Sequence, residues 1–291
     1  MQVKSEIQFY KSKDVGEGLS FAFVEHHELI ASNDIFTPSL RDFHVIFWNK
    51  KGTVRYFVDF KEHVVKPNSI VLISKDCLHY FDDFSEEVEL QSIPFSPEFL
   101  YRKDNDLEHL FNFNSTCHFE GVQIVNINTE STAFLDRMSS EMKVVFTSWQ
   151  GKKREEAFYH LLSLFLIKVE RNQLPNSRAT LNLSENDKMI QEFNILLEQN
   201  FKTESSVQFY VDCLFTTAKT LAKFVKEVYK TPTKTVIDDR RILEIKRLLI
   251  GTSLPIKEIS YALGFDEPTN MNKFFKKRVE LTPATFRENH N

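Results

Sequence analysis

Residues 256–283 read IKEISYALGFDEPTNMNKFFKKRVELTP, and residues 207–232 read VQFYVDCLFTTAKTLAKFVKEVYKTP. Each stretch has apolar residues at helical spacing, then a short break, then a second apolar run at the same spacing. The second copy begins 49 residues after the first. This pattern predicts two helix-turn-helix units, at about residues 207–229 and 256–279, and a duplicated pattern is far more specific than a single one.

The second helix of each unit would present its exposed face to a DNA major groove. Small and amide side chains near the start of such a helix suit base edges, whereas lysines one and two turns later suit phosphates. We expect Thr217 to cap the first of these helices and Pro268 to open the second. The predicted DNA-binding residues are Thr217, Ala218, Lys219, Thr220, Lys223, Lys226, Pro268, Thr269, Asn270, Asn272, Lys273, Lys276 and Lys277.

The distribution of charge fits a DNA-binding end. The whole chain of 291 residues has a net charge of −4, which by itself argues against nucleic acid. Residues 213–291, however, carry 15 Lys or Arg and 9 Asp or Glu, so this part is +6 and the remainder is −10. Such asymmetry indicates a basic DNA-facing domain joined to an acidic partner domain.

The first part of the chain has the pattern of short strands. Residues 54–60 alternate with the period of a half-buried strand, with Val54, Tyr56, Val58 and Phe60 on one face, and several similar runs are separated by Gly, Pro and Asn. From about Thr132 the period becomes helical. We therefore predict an α+β protein of two domains: an antiparallel β-barrel with a helical hairpin at about 131–171, making domain 1–171; a linker at 172–184; and an all-α domain at 185–291.

The helical hairpin has two interpretations, which the sequence leaves open. Its wide apolar stripe would be explained by a hairpin that caps the barrel, and it would equally suit a dimerisation surface. The second interpretation predicts a homodimer.

The composition and the cysteines predict the compartment. Cys77, Cys117 and Cys213 are widely spaced, which is typical of thiols in the core of a protein in a reducing environment. The first 14 residues are polar and charged, unlike a signal peptide, and the apolar stretch at residues 161–167 is too short to span a bilayer. We expect a cytoplasmic protein without membrane contact.

The duplicated region resembles the AraC/XylS family of bacterial transcription regulators. The residues that carry the resemblance are Ile256-x-x-Ile259-Ser260-x-x-Leu263-Gly264-Phe265, Phe275-Lys276-Lys277, Thr282-Pro283-x-x-Phe286-Arg287, Tyr210-Val211, Leu221-x-Lys223, and Arg241-Ile242-x-x-Ile245-Lys246-Arg247-Leu248-Leu249. The resemblance covers about residues 185–290 and implies two units that read successive major-groove segments. Met271 and Glu280 depart from the family pattern, which usually has Phe and Gly there, and Phe215 is large for its turn.

The strand-rich part more weakly resembles the cupin-like sensor domains of such regulators, through residues 59–62, 66–70 and 74–79. Together the two resemblances imply a sequence-specific transcription regulator, with activation favoured over repression. They imply double-stranded DNA as partner, and RNA polymerase and a small-molecule effector as further candidate partners. No residue could be assigned to an effector site.

A cupin-type metal-dependent enzyme fused to a helical appendage is the alternative. A catalytic cupin binds its metal through a His-x-His pair, a Glu and a later His. In this chain only His44 and His79 lie at suitable places, and metal sites of this kind generally need three protein ligands. We therefore expect no metal, no cofactor and no catalytic residue.

Overall fold

The computed structural model describes residues 8–10, 20–31, 33–102, 105–106, 122–173 and 185–290. These residues fall into two compact units, one with the described residues up to 173 and one with residues 185–290. The predicted class, an α+β protein with a strand-rich domain followed by a helical one, is confirmed. The predicted linker at 172–184 lies outside the described residues from position 174 onward, as does Cys117.

Most strands of the first unit belong to two five-stranded sheets, in the orders β1-β3-β8-β5-β6 and β12-β7-β4-β9-β2. The strands are β1 (Gln8–Tyr10), β2 (Val24–Glu25), β3 (Ser39–Arg41), β4 (His44–Lys51), β5 (Val54–Val58), β6 (Lys61–Val65), β7 (Ser69–Ile73), β8 (Leu78–Phe84), β9 (Glu89–Phe95), β10 (Tyr101–Arg102), β11 (Asn105–Asp106) and β12 (Val122–Asn126). Strands β10 and β11 form a separate pair.

The expected barrel is not closed. Among the described strands, hydrogen-bonded pairing runs within each sheet and does not join one sheet to the other, so the arrangement is a two-sheet sandwich. The pairing is antiparallel except between β1 and β3. Alternation along a strand such as Val54–Val58 identifies its buried face, but closure depends on pairing between distant strands, which a local pattern does not contain.

One of the two apolar clusters of this unit lies between the two sheets. Phe47 on β4 packs against Tyr56 on β5, with ring centroids 4.9 Å apart, and against Phe81 on β8 at 5.3 Å. Val71 and Ile73 of β7 complete this cluster, and each of the five side chains is at most 5% exposed. The alternating pattern of the sequence therefore corresponds to one continuous apolar layer.

Two long helices, α3 (Thr129–Ser148) and α4 (Gly151–Gln173), form the hairpin; they follow the short helices α1 (His26–Ala31) and α2 (Pro97–Leu100). The apolar stripe of the hairpin packs on residues of the second sheet, including Trp48 and Phe95. The capping interpretation of that stripe therefore holds. A dimer interface would have to use other residues of the hairpin.

Polar side chains also fasten α3 to the sheet. Lys50 Nζ lies 2.8 Å from Asp136 Oδ1, and Lys143 Nζ lies 2.7 Å from Glu25 Oε1. Between these two pairs, Ser139 Oγ donates to Gln91 Oε1. Positions 136, 139 and 143 occupy one face of the helix, so the attachment extends over two turns.

The second unit contains seven helices within residues 185–290, namely α5 (Glu185–Asn200), α6 (Val207–Cys213), α7 (Ala218–Tyr229), α8 (Thr233–Gly251), α9 (Ile256–Ala262), α10 (Pro268–Val279) and α11 (Pro283–His290). Helix α8 joins the two pairs α6–α7 and α9–α10 and is mostly buried. Within the described part of the chain, no helix combines the length and the apolar character that crossing a membrane requires.

Candidate nucleic-acid interface

Helix α7, the first reading helix, begins at a well-formed cap. Thr217 has extended backbone, and its Oγ1 accepts a hydrogen bond from Thr220 N at 3.1 Å. Leu221 and Val225 are fully buried, which fixes one face of the helix against the rest of the unit. The opposite face is left to solvent, since Lys219 on it is exposed.

Helix α10, the second reading helix, has the same layout with different chemistry at its start. Pro268 occupies the first turn, where the missing N–H costs no hydrogen bond. The side chain of Glu267 accepts from Thr269 Oγ1 at 3.0 Å, so a carboxylate lies at the tip of this helix. Met271 and Phe275 are fully buried.

The structure places the predicted DNA-binding residues on the solvent-facing sides of these two helices. Eleven of them are exposed and two, Thr220 and Pro268, are half-buried. The exposed ones are Thr217, Ala218, Lys219, Lys223, Lys226, Thr269, Asn270, Asn272, Lys273, Lys276 and Lys277. This arrangement offers small and amide groups near each helix start and cations farther along.

The charge count of the sequence overstates the cationic surface. Arg240, Arg241 and Arg247 contribute to the +6 of the tail, yet each is at most 6% exposed. Arg240 makes two hydrogen bonds to Glu198, at 2.7 and 3.0 Å, and one to Glu244 at 3.0 Å. These guanidinium groups brace α8 inside the unit, and the exposed lysines remain as the cations that DNA can reach.

Arginines also fix the second helix-turn-helix unit to α8, a role that the sequence pattern did not reveal. Arg241 Nη2 donates to Leu263 O at 2.7 Å, and its guanidinium lies 4.3 Å from the centroid of the Phe265 ring. Arg287 Nε donates to Leu249 O at 2.8 Å. Both side chains therefore satisfy carbonyl groups near helix ends.

The turns of the two units differ at one equivalent position. Gly264 has φ +68°, and a Cβ there would lie 2.7 Å from Lys202 O, so only glycine fits. The matching residue, 49 positions earlier, is Phe215, which has φ +49° and is 98% exposed. A bulky side chain in the left-handed region is a genuine outlier, and burial does not compensate for it here.

In the first unit of the chain, two buried polar side chains, Tyr56 and His79, form a cluster with the half-buried Arg41. Tyr56 Oη forms a short hydrogen bond with His79 Nδ1, and Arg41 Nη1 lies 3.2 Å from His79 Nε2. Burial, with Arg41 adding to it, lowers the pKa of His79 well below its usual value. Burial likewise raises the pKa of Tyr56, so both groups are neutral at physiological pH.

The two histidines weighed for a cupin metal site have different hydrogen-bond partners. His44 on β4 accepts from Lys75 N at 3.3 Å through Nδ1, whereas His79 contacts Tyr56 and Arg41. Burial, followed by the charge of Lys75, lowers the pKa of His44 to about 3. Within the described ranges, no three His, Cys, Asp or Glu side chains converge as metal ligands would.

The cysteine expectation is partly wrong. Cys77 is buried as predicted, but Cys213 at the end of α6 is exposed. The apolar stripe of α6 uses Tyr210 and Val211 instead, because a seven-residue helix buries only a narrow face. Cys213 therefore lies on the surface of the first helix-turn-helix unit.

A cleft of about 140 Å³ lies on the first unit, lined by Glu25, His26, His27, Lys50, Glu89, Leu90 and Gln91. Its charged groups already have partners: Lys50 pairs with Asp136, Glu25 with Lys143, and Glu89 with Lys51 at 3.2 Å. A charged ligand would have to displace these pairs, so the cleft gives no support to a binding site.

A helix pair that occurs twice, each time with an exposed cationic helix, attached in sequence to a β-sandwich with a small polar cluster, defines a two-domain DNA-binding regulator. Comparison with known proteins agrees. Residues 22–112 match the family model described as AraC-like ligand binding domain, and residues 210–289 match the one described as helix-turn-helix domain.

Similar proteins include the HTH-type transcriptional activator RhaS of Enterobacter sp. (strain 638), which is 19% identical over 268 residues, or 92% of this chain and 88% of that protein. Among solved structures, ToxT from Vibrio cholerae O395 is 16% identical, with a TM-score of 0.44 and coverage of 94% of this chain and 98% of that one. The C-terminal domain of AraT from Geobacillus stearothermophilus is 20% identical, with a TM-score of 0.34 and coverage of 36% and 88%. The chain belongs to the AraC/XylS family of transcription regulators, with a ligand-binding domain followed by a helix-turn-helix DNA-binding domain.

Proposed function

We propose that the chain regulates transcription by inserting α7 and α10 into successive major-groove segments of double-stranded DNA. The observation that carries this proposal is the shared design of the two helices. Each buries an apolar face in the same compact unit and turns lysine and small polar side chains to solvent. In this arrangement Lys219 and Asn270, near the helix starts, would meet base edges, and Lys223 and Lys273 would meet phosphates.

The test begins with duplexes that the full chain selects from a random-sequence DNA library, because the natural operator is unknown. Mobility shift on a selected duplex is then measured for Lys219→Ala and Asn270→Ala. Each substitution should weaken binding by about 1–3 kcal/mol and relax the preference at a few base pairs. Lys188→Ala, an exposed lysine on α5, is the control and should bind as the unsubstituted chain does.

Two outcomes of this test would contradict the assignment. If the library yields no enriched sequence, the chain does not read DNA specifically. If both substituted proteins bind as tightly as the Lys188→Ala control, the reading faces are wrongly assigned.

We further propose that the sandwich senses a small molecule. The match to an AraC-like ligand-binding domain supports this. The cluster of Arg41, Tyr56 and His79 supports it too, because the half-buried Arg41 lies next to two buried polar side chains, and a few convergent polar groups are suited to orienting a ligand. A thermal-shift screen of metabolites should yield a compound that stabilises the chain. That shift should disappear in Arg41→Ala and persist in Arg55→Ala, an exposed arginine on β5.

We infer a homodimer formed through the hairpin. Its apolar stripe is used by the sheet, but Leu164 and Ile167 on α4 are 48% and 40% exposed and lie one turn apart. Sedimentation analysis should show a dimer that dissociates when both become Glu. Lys152→Glu, on the same helix, should leave the dimer intact; an unsubstituted chain that sediments as a monomer would refute the interface.

We propose activation as the regulatory sign, with RNA polymerase as the protein partner, and a role that needs neither catalysis nor a cofactor. The relative RhaS is named a transcriptional activator, which supports this choice. We propose a cytoplasmic location, because bacterial DNA lies there. Transcription in vitro from a template with a selected site upstream should increase with the added chain; a decrease would make it a repressor.

A further inference from the structure

Helix α10 ends in a basic run, Lys276-Lys277-Arg278. Read as a sequence, all three residues are equivalent candidates for phosphate contacts. The structure separates them. All three residues are exposed, but the side chain of Arg278 is only 26% exposed and is turned toward α8.

Arg278 is held by two carboxylates at the start of α8. Its Nη2 donates to Asp238 Oδ2 at 2.5 Å, and its Nη1 donates to Asp239 Oδ1 at 2.8 Å. Asp238 is 8% exposed and also accepts from Lys234 Nζ at 2.6 Å. Asp239 is 59% exposed. A guanidinium that donates two charge-assisted hydrogen bonds to neighbouring carboxylates is oriented more narrowly than a lysine ammonium on the surface.

The first reading helix is fastened differently. Val228 stands 50 residues before Arg278 and has no charge to offer. The neighbouring Tyr229 instead donates through Oη to Asn194 Oδ1 of α5 at 2.6 Å. The last turns of the two reading helices are thus tied to different partners, α5 for the first and α8 for the second.

This difference bears on the distance between the two reading helices. Helix α8 connects the two units, so an ion pair between α8 and α10 acts on how the second reading helix is set relative to the first. Arg241 and Arg287 also attach the second unit to α8, but they do so through the turn and through α11. Arg278 is the one of these three arginines that lies on the reading helix itself.

We propose that Arg278 is a positioning residue that fixes the spacing between the two DNA-reading helices through Asp238 and Asp239, and that it does not serve as a phosphate ligand. This inference rests on the proposed function, because spacing matters only if both helices engage one DNA. If α10 is held rigidly on α8, the two DNA segments that the reading helices contact must lie at a fixed separation. If the contact between α8 and α10 is loosened, the second unit can still bind when its DNA segment is displaced.

The experiment uses the full chain and two duplexes. One is a duplex selected from a random-sequence library by the unsubstituted chain; the other carries one extra base pair between the segments protected by the two units. Binding is measured by fluorescence anisotropy over a range of salt concentrations. The variants are Arg278→Ala, Arg278→Lys and Asp239→Asn, with Lys277→Ala as the matched control from the same helical turn.

For the unsubstituted chain, we expect the extra base pair to weaken binding by about 100-fold. Arg278→Ala and Asp239→Asn should reduce that penalty about tenfold and leave the salt dependence unchanged. Arg278→Lys keeps the positive charge and fold but lacks the planar fork, so it should behave like Arg278→Ala. Lys277→Ala should keep the full penalty and lower the slope of log K against log salt by about one.

Two results would overturn the proposal. A lower salt slope in Arg278→Ala, restored by Arg278→Lys, would make Arg278 a phosphate ligand. If the extra base pair weakens binding equally in all four variants, Arg278 does not have a positioning role. Failure of the unsubstituted chain to select any sequence is a different result, since it removes the proposed function itself.

Discussion

Phe215 and Gly264 occupy equivalent positions in the turns of the two helix-turn-helix units, and they show how a single residue determines the backbone strain of a turn. Both have positive φ, but a left-handed conformation costs roughly 1–2 kcal/mol in a residue with a Cβ. Glycine avoids that cost. The first copy therefore carries strain in its turn that the second copy does not.

Phe215→Gly should raise the free energy of unfolding of the helical unit by about 1 kcal/mol, because the strain relieved exceeds the added entropy of the unfolded chain. Gly264→Ala should lower it by roughly 2 kcal/mol or more, since strain and a collision with Lys202 O act together. Denaturant unfolding followed by far-ultraviolet circular dichroism measures both. Equal effects of the same sign would contradict the assigned turn geometry.

A second prediction concerns His44 and pH. In the folded chain burial lowers the pKa of His44 from 6.5 to about 3, so below pH 6.5 the unfolded chain takes up the proton first. The strand-rich unit should then lose about 1.4 kcal/mol per pH unit from this residue as the pH falls. The similarly lowered pKa of His79 adds to the loss.

Tryptophan fluorescence during denaturant unfolding checks this prediction, because both tryptophans of the chain, Trp48 and Trp149, lie in the strand-rich unit. His44→Phe should reduce the acid sensitivity between pH 6.5 and 5. The exposed His160 provides the control as His160→Gln, which should behave as the unsubstituted chain does. Acid sensitivity that His44→Phe leaves undiminished would refute the prediction.

At the scale of the element, the reading helices owe their exposed faces to the pattern of their apolar residues. Leu221 and Val225 in α7 and Met271 and Phe275 in α10 are all fully buried, as a helical period requires. Because these apolar residues fix the buried face of each helix, the polar residues between them lie on the exposed face. For this reason the orientation of both helices could be predicted from the sequence.

Lys223→Ala and Lys273→Ala should each lower the slope of log K against log salt by about 0.9, because each removes one phosphate contact. Binding should weaken alike on selected and on random duplexes, since phosphates carry no sequence information. Filter binding at several salt concentrations gives both quantities. A slope that matches the Lys188→Ala control would show that these lysines do not reach DNA.

What the sequence could not supply is the pairing between distant elements. Arg278 stands in a basic run, and only the approach of α8 turns it toward Asp238 and Asp239. Arg240 looks like one more basic residue of the tail until Glu198 and Glu244 are placed beside it. The prediction of a closed barrel was wrong for the same reason, because closure depends on pairing between strands far apart in the chain.

At the scale of the whole molecule, the chain joins a unit with an AraC-like ligand-binding domain to a unit with a helix-turn-helix domain. Each unit has its own buried apolar residues among those that the structure describes. Coupling between a sensed ligand and DNA then has to act through assembly or through a change in populations. Assembly is the more directly testable route.

A duplex with two copies of a selected site should bind the chain about 100-fold more tightly than a duplex with one copy, if the chain is dimeric. Leu164→Glu combined with Ile167→Glu should abolish this gain and leave binding to the single site unchanged. Anisotropy titrations on the two duplexes measure the difference. A gain that survives both substitutions would place the dimer contact elsewhere.

The two ion pairs and the hydrogen bond between α3 and the sheet determine how the helix would respond to a movement of the strands. Asp136, Ser139 and Lys143 are fastened to Lys50, Gln91 and Glu25, which come from strands β4, β9 and β2. A helix attached to a sheet at three points along its length moves with the sheet as one body, whereas a helix attached at one point can change its orientation. A displacement of these strands would therefore move α3 as one body, together with α4, which packs against it.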